Sequence, residues 1–114
     1  MRRGEVRWYT FKAPDKRRPM LILTRNSAIS FLTALTVAPV TTTIRDIPSE
    51  VLLTPEDGLL TACAASIDNI QTVAKHRLGP MISYLSLERM EEVDRAIAFA
   101  LGLDALVAGY EPRG

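Results

Sequence analysis

Between residues 5 and 73 the chain is cut into six short runs of β-branched, aromatic or aliphatic residues, none longer than ten. Proline, glycine, asparagine and aspartate separate them. Each run is too short for a buried helix and has the length of a strand, and many short strands with frequent turns point to a small barrel or sandwich. Glu5–Lys12 alternates partially and reads as the first strand. Ala13–Lys16 follows as a turn, because Pro14 fixes φ and Asp15 can bond the following backbone. Pro19–Thr24 is a continuous apolar run, predicted to be a strand covered on both faces with Pro19 as its first residue. Arg25–Ser27 is a loop signal with room for a short helical turn after it. Leu35–Ile44 is strongly β, and Pro39 within it implies an edge or a bulge. Ile47–Leu53, Leu60–Ser66 and Ile70–Val73 complete the predicted strands, with Pro55–Gly58 as a turn.

One element breaks this pattern. Leu87, Met90, Val93, Ile97 and Leu101 repeat at helical spacing and form a single apolar stripe. Ser86 stands where an N-cap belongs, Glu88, Glu91 and Glu92 place negative charge toward the positive end, and Gly102 is a natural stop. The fold class expected is therefore mainly β with a C-terminal helix (α+β), a small barrel or sandwich. Residues 1–104 form one domain, followed by a short tail over residues 105–114.

A chain of 114 residues suits one domain and hides enough surface for a core without disulfides or metal. The lone Cys63 rules out an intrachain disulfide framework and fits a reducing cytoplasm. No apolar run approaches the ~20 residues of a membrane span, and no signal-peptide segment follows Arg2 and Arg3. The expected setting is cytoplasmic, with no membrane partner. Charge is the more telling property. Residues 1–25 hold eight cations against Glu5 and Asp15, a net +6, so the other 89 residues carry −5. A basic segment on an acidic body suits an anionic partner such as a phosphate backbone, although it also reads as a solubilising edge.

Several chemistries are disfavoured. The single His76, between Lys75 and Arg77, cannot make a two-histidine acid–base pair, and no nucleophile-elbow spacing surrounds any serine. One cysteine and one histidine cannot build a structural zinc site. The acids of the helix read as a solvated face, and there is no glycine-rich phosphate loop. No metal site and no cofactor are expected, so a nuclease on this chain would work without a divalent metal.

Four segments in this order form a pattern: Arg3–Val6 with Trp8; Arg17–Leu23; Val37–Ile44; and Asp68–Val73 followed by Lys75 and Arg77–Gly79. With the closing helix they resemble the MazF/PemK family of toxin endoribonucleases (mRNA interferases) of type II toxin–antitoxin systems. The resemblance spans about residues 2–103. It implies an SH3-like or CcdB-like antiparallel barrel, usually a homodimer. It also implies metal-independent cleavage of single-stranded RNA (mRNA, or rRNA or tRNA) at short preferred sequences. The RNA's own 2′-OH would be the nucleophile, leaving a 2′,3′-cyclic phosphate and a 5′-OH, and a cognate antitoxin of MazE type would block the site.

Carried over by position, the family's catalytic arginine falls on Arg18 and its catalytic threonine on Thr41. Arg17, Thr43, Asn69 and Gln71 fall on RNA-binding positions. Attack by the 2′-OH builds negative charge on the phosphorus oxygens, which a fixed guanidinium stabilises with two hydrogen bonds. An arginine pKa above about 12 makes this a more natural role than proton transfer. Alternation along a strand puts Thr41 and Thr43 on one face and Thr42 on the other. Amide side chains such as Asn69 and Gln71 read the edges of unstacked bases, or make structural hydrogen bonds. The chain departs from the family in a short Lys12–Arg17 connection, in Thr10 and Arg7, and in Gln71 and Ala74. These changes bear on sequence preference more than on Arg18 and Thr41. The alternative function is a non-catalytic, CcdB-like toxin that binds and poisons DNA gyrase, which would need neither residue.

Overall fold

The computed structural model describes residues 1–11 and 16–106. Seven strands are formed: β1 (Glu5–Thr10), β2 (Arg17–Ile22), β3 (Ala34–Thr41), β4 (Glu50–Leu53), β5 (Cys63–Ser66), β6 (Gln71–Ala74) and β7 (Leu78–Tyr84). A one-turn helix α1 (Asn26–Ile29) joins β2 to β3, and α2 (Leu87–Ala100) closes the fold. All pairings are antiparallel, in the order β4-β5-β3-β2-β1-β7, with β6 also on β3. The expected all-antiparallel architecture with one C-terminal helix is what forms. The turn expected over Ala13–Lys16 and most of the 105–114 tail lie outside the described residues, apart from Lys16 and a short turn at Asp104–Leu106.

The Pro19–Thr24 run is buried on both faces because successive side chains go to opposite sides of the sheet. Met20 and Ile22 pack with Tyr9, Leu35 and Val37, while Leu21 and Leu23 pack with Val6, Ala38 and Val40. The second group continues into α2 through Met90, Val93 and Ala96, and into β4 through Val51 and Leu53. The helix therefore roofs one core, and α1 covers the other with Ile29.

Three details differ from expectation. Strand β2 begins at Arg17, so Pro19 is its third residue, paired with Trp8 of β1. The β2–β3 ladder begins only at Met20, so β2 still has an open edge where Pro19 lacks its N–H. Pro39 lies in a strand with neighbours on both sides. Even so, β3 leaves β6 at Val37 and meets β5 only at Val40, which leaves Pro39 in the interval between the two ladders. Strand β7 was not anticipated, because Gly79-Pro80 interrupts its pattern. It pairs with β1 alone, through a register broken by irregularities, and an edge strand tolerates such a proline.

Helix α2 follows its sequence signals closely. The Ser86 side chain accepts a hydrogen bond from the Arg89 amide, and Gly102 takes a left-handed φ of 72° just past the end. The ends of the expected stripe, Leu87 and Leu101, are exposed, and Ala96 and Ala98 are buried alongside Met90 and Val93. No helix among the described residues is long and apolar enough to cross a membrane.

Candidate functional site

The β2–β3 register pairs Ile22 with Val37, Leu21 with Ala38 and Met20 with Pro39. The ladder stops there, and Arg18 and Thr41 lie two residues beyond its last pair, on the same face as Met20 and Pro39. Arg18 and Thr41 are thus brought together by two strand ends, where the buried sheet opens to solvent. On the far side of β3, Thr41 pairs with Ala64 of β5, and Glu50 of β4 pairs with Ser66. Ala64 in turn pairs with Leu52, so Glu50 and Ser66 form the next row on the same face, two residues along β4 and β5.

These rows floor a cleft of about 440 Å³. Arg18, Thr41, Thr43, Asn69 and Gln71 all line it, together with Phe11, Met20, Pro39, Arg45, Glu50 and Ser66. Five of the six residues singled out in the sequence, from three separate segments, thus share one concavity. A second cleft of about 460 Å³ opens on the other face of the sheet, and Arg18 and Thr41 line that one too. They stand on the ridge between the clefts.

Arg17 belongs to the second cleft. It precedes Arg18 on the strand and so faces the other way, where its guanidinium lies 4.5 Å from the centre of the Trp8 ring. Leu59, Leu60 and Ile82 add an apolar wall there, and Lys16 and Thr42 stand at the same opening. Thr43 reaches the first cleft, but not by strand alternation, because β3 ends at Thr41. Instead the Thr43 amide donates to Thr41 Oγ1 at 3.1 Å, which ties the two residues together across the turn.

Hydrogen bonding fixes most of the polar wall. Asn69 Nδ2 donates to Ser66 Oγ at 2.8 Å, and the Gln71 amide nitrogen lies 3.4 Å from the Asn69 carbonyl oxygen. Glu50 Oε1 accepts from the amides of Arg45 and Asp46 at 2.9 and 3.0 Å. Asp46 has a φ of 57°, the left-handed turn that lets these two amides converge on one oxygen. Arg18 is exposed and, among the described residues, pairs with no carboxylate, so its fork is open to a ligand.

Glu50 and Arg45 are the cleft residues that sequence reasoning missed. Reading Ile47–Leu53 as one strand hides them, since it makes Glu50 a mid-strand residue and Arg45 a loop cation. An acid five residues after an Arg-Asp turn was the available signal. His76 is exposed in the Lys75–Arg77 turn and lies beside a different depression, with Met1, Asn26 and Ser30.

The model of the PemK-like, MazF-like toxin of type II toxin–antitoxin systems matches residues 2–101. The chain is 43% identical over 94 residues to the endoribonuclease MazF3 of Mycobacterium tuberculosis, which covers 82% of this chain and 91% of that protein. Among solved structures, the Mycobacterium tuberculosis toxin MazF-mt6 is 38% identical with a TM-score of 0.80, covering 88% of this chain and 98% of its own. An endoribonuclease in complex with its cognate antitoxin, from a mycobacterial species, is 30% identical with a TM-score of 0.79, covering 90% and 96%. With its all-antiparallel sheet, its closing helix and a match over nearly its whole length, the chain belongs to the PemK-like, MazF-like toxin family of type II toxin–antitoxin systems.

Proposed function

We propose that this MazF-type endoribonuclease cleaves single-stranded RNA at preferred sequences by attack of the RNA's own 2′-OH on the adjacent phosphorus, without a metal ion. The observation that supports this reading is the cleft holding Arg18, Thr41, Thr43, Asn69 and Gln71 together. As the 2′-oxygen attacks, charge grows on the two non-bridging oxygens, and the Arg18 fork donates to them. The Thr41 hydroxyl supplies a further donor. The 2′-OH releases its proton to solvent as it attacks and the departing 5′-oxygen takes one up, leaving a 2′,3′-cyclic phosphate and a 5′-OH. Asn69, Gln71 and Thr43 hold the flanking nucleotide, and Arg17 on Trp8 presents a cation beside an aromatic face for the strand on the other side of the ridge. The working unit is a homodimer in the cytoplasm, and an antitoxin of MazE type silences it by covering the clefts.

The test is cleavage of a long RNA in excess EDTA, with the new ends mapped. Cut products with cyclic phosphate and 5′-OH ends are expected. Arg18→Ala should lower the rate by about 10²–10³-fold, as removal of a transition-state donor does, while its circular dichroism spectrum stays that of the parent. Vigorous cutting by Arg18→Ala would sink the site. Intact RNA together with trapped gyrase–DNA complexes would replace the ribonuclease reading with gyrase poisoning.

A further inference from the structure

We propose that Glu50 reads the nucleobase beside the scissile phosphate, selecting a base with an exocyclic amino group and rejecting uracil. This rests on the ribonuclease reading and assigns one subsite of it.

A carboxylate on the floor of a cleft built for a polyanion is at first sight misplaced, because it repels phosphate. Its position resolves the conflict. Glu50 and Ser66 form a cross-strand pair at one end of the cleft, and Thr41 pairs with Ala64, two residues earlier on β5. Two residues of strand are roughly 6.6–6.8 Å and β5 lies between β3 and β4, so Glu50 stands about 12 Å from Thr41 across the sheet. That is the far end of the cleft it shares with Arg18, where the base of a nucleotide flanking the cut would lie. The phosphate stays on the ridge with Arg18.

The carboxylate is also held in place. Its Oε1 accepts two backbone amides, those of Arg45 and Asp46, which leaves Oε2 as the oxygen with free acceptor capacity. An ionised carboxylate has no proton to give. Any base edge set against Oε2 must therefore bring a donor, as the cytosine N4 amino group does. Uracil in the same pose presents its O4 carbonyl there and meets an acceptor with an acceptor, and it must shift along its edge to bring N3–H to the carboxylate instead. Asn69 and Gln71 flank this point with amides that both donate and accept, so they adapt to the remainder of the edge. Among the described side chains of the cleft Glu50 only accepts, whereas Arg18 and Arg45 only donate and the amides do both, so selection for an amino group belongs to Glu50.

The experiment begins with the wild-type protein, an RNA of mixed sequence and sequencing of all cut ends. One position next to the cut should be depleted of uracil about tenfold or more, the scale of a hydrogen bond to a charged group. In matched oligonucleotides, replacing the favoured cytosine at that position by 2-pyrimidinone, which keeps the ring and lacks the amino group, should slow wild-type cleavage about tenfold. Glu50→Gln keeps an oxygen for the two turn amides, and its amide either donates or accepts. Uracil and cytosine at that position should then be cut within about threefold of each other. The 2-pyrimidinone comparison needs no variant to fold. A wild type that cuts with uracil accepted equally at every flanking position overturns the assignment. So does a folded Glu50→Gln with an unchanged base profile. In both cases the ribonuclease reading stands, whereas a wild type that cuts no RNA at all overturns both together.

Discussion

Thr41 does two things at once: it lines both clefts with Arg18, and its hydroxyl oxygen accepts the Thr43 amide. The roles separate by substitution. Thr41→Val keeps the β-branched shape and removes the hydroxyl. Single-turnover cleavage should fall by at least about tenfold, with the thermal midpoint nearly unchanged because the site is half-exposed. Thr41→Ser restores the hydroxyl and should recover most of the rate. A valine variant as fast as the parent would remove Thr41 from the chemistry. At this scale the sequence was informative about Arg18 and Thr41, because both sit in extended strands whose neighbours form a recognisable pattern. It was silent about Glu50, whose place in the cleft depends on one left-handed residue, Asp46, and on a strand that starts three residues later than its composition suggests.

Among the elements, the Pro55–Asp57 turn ties the roof helix to β7 by polar contacts. Asp57 accepts from the Thr54 amide at 2.8 Å and from Arg89 Nε of α2 at 3.0 Å, and the Ser83 hydroxyl of β7 donates to the Asp57 carbonyl. Gly58 closes the turn at a φ of 92°, where an added Cβ would come within 2.6 Å of Ser83 Oγ. Burial alone would raise the Asp57 carboxyl, but the bonds from Arg89 and Thr54 outweigh it and hold the carboxyl below its ordinary range. The same balance holds for Glu5, where burial is overcome by Arg7 bonded at 2.7 Å. A carboxyl with a depressed folded pKa gives stability that is fully present above the unfolded value of about 4 and is lost as pH falls through the folded one. Denaturant melts of the parent should therefore hold steady from pH 7 to about 5 and weaken below about 4. Asp57→Asn should cost about 1–3 kcal/mol at pH 7 and flatten part of the acid limb, leaving the share due to Glu5. An acid limb identical to the parent's would show that Asp57 contributes nothing to it. The turn itself was legible in Pro55–Gly58 and the helix in Ser86 and Gly102. Strand β7 was not, since edge pairing to β1 overrides the Gly79-Pro80 signal.

Across the whole molecule, the basic N-terminal segment divides into two populations that the sequence cannot separate. Arg2 and Arg7 engage Glu5 of β1, and Arg3 binds Asp94 of α2 and the Leu23 carbonyl, so three cations are committed to contacts within the fold. Lys16, Arg17 and Arg18 line the clefts instead and are joined there by Arg45 from outside the segment. Net charge by segment therefore overstates the face offered to RNA, and the fold corrects it. Each cation that neutralises a phosphate of a single strand contributes about −0.7 to the slope of log K against log salt. Full engagement of these four cleft cations gives a slope of about −2.8 for each protomer. Binding is best measured with RNA carrying a 2′-deoxy nucleotide at the cut, which withholds the nucleophile. Arg17→Ala and Arg45→Ala should each lessen the slope by about 0.7, whereas Arg3→Ala, measured below its melting range, should leave it where it was. A slope that responds to Arg3 and ignores Arg17 and Arg45 would put the RNA on the β1–α2 side of the molecule, away from both clefts.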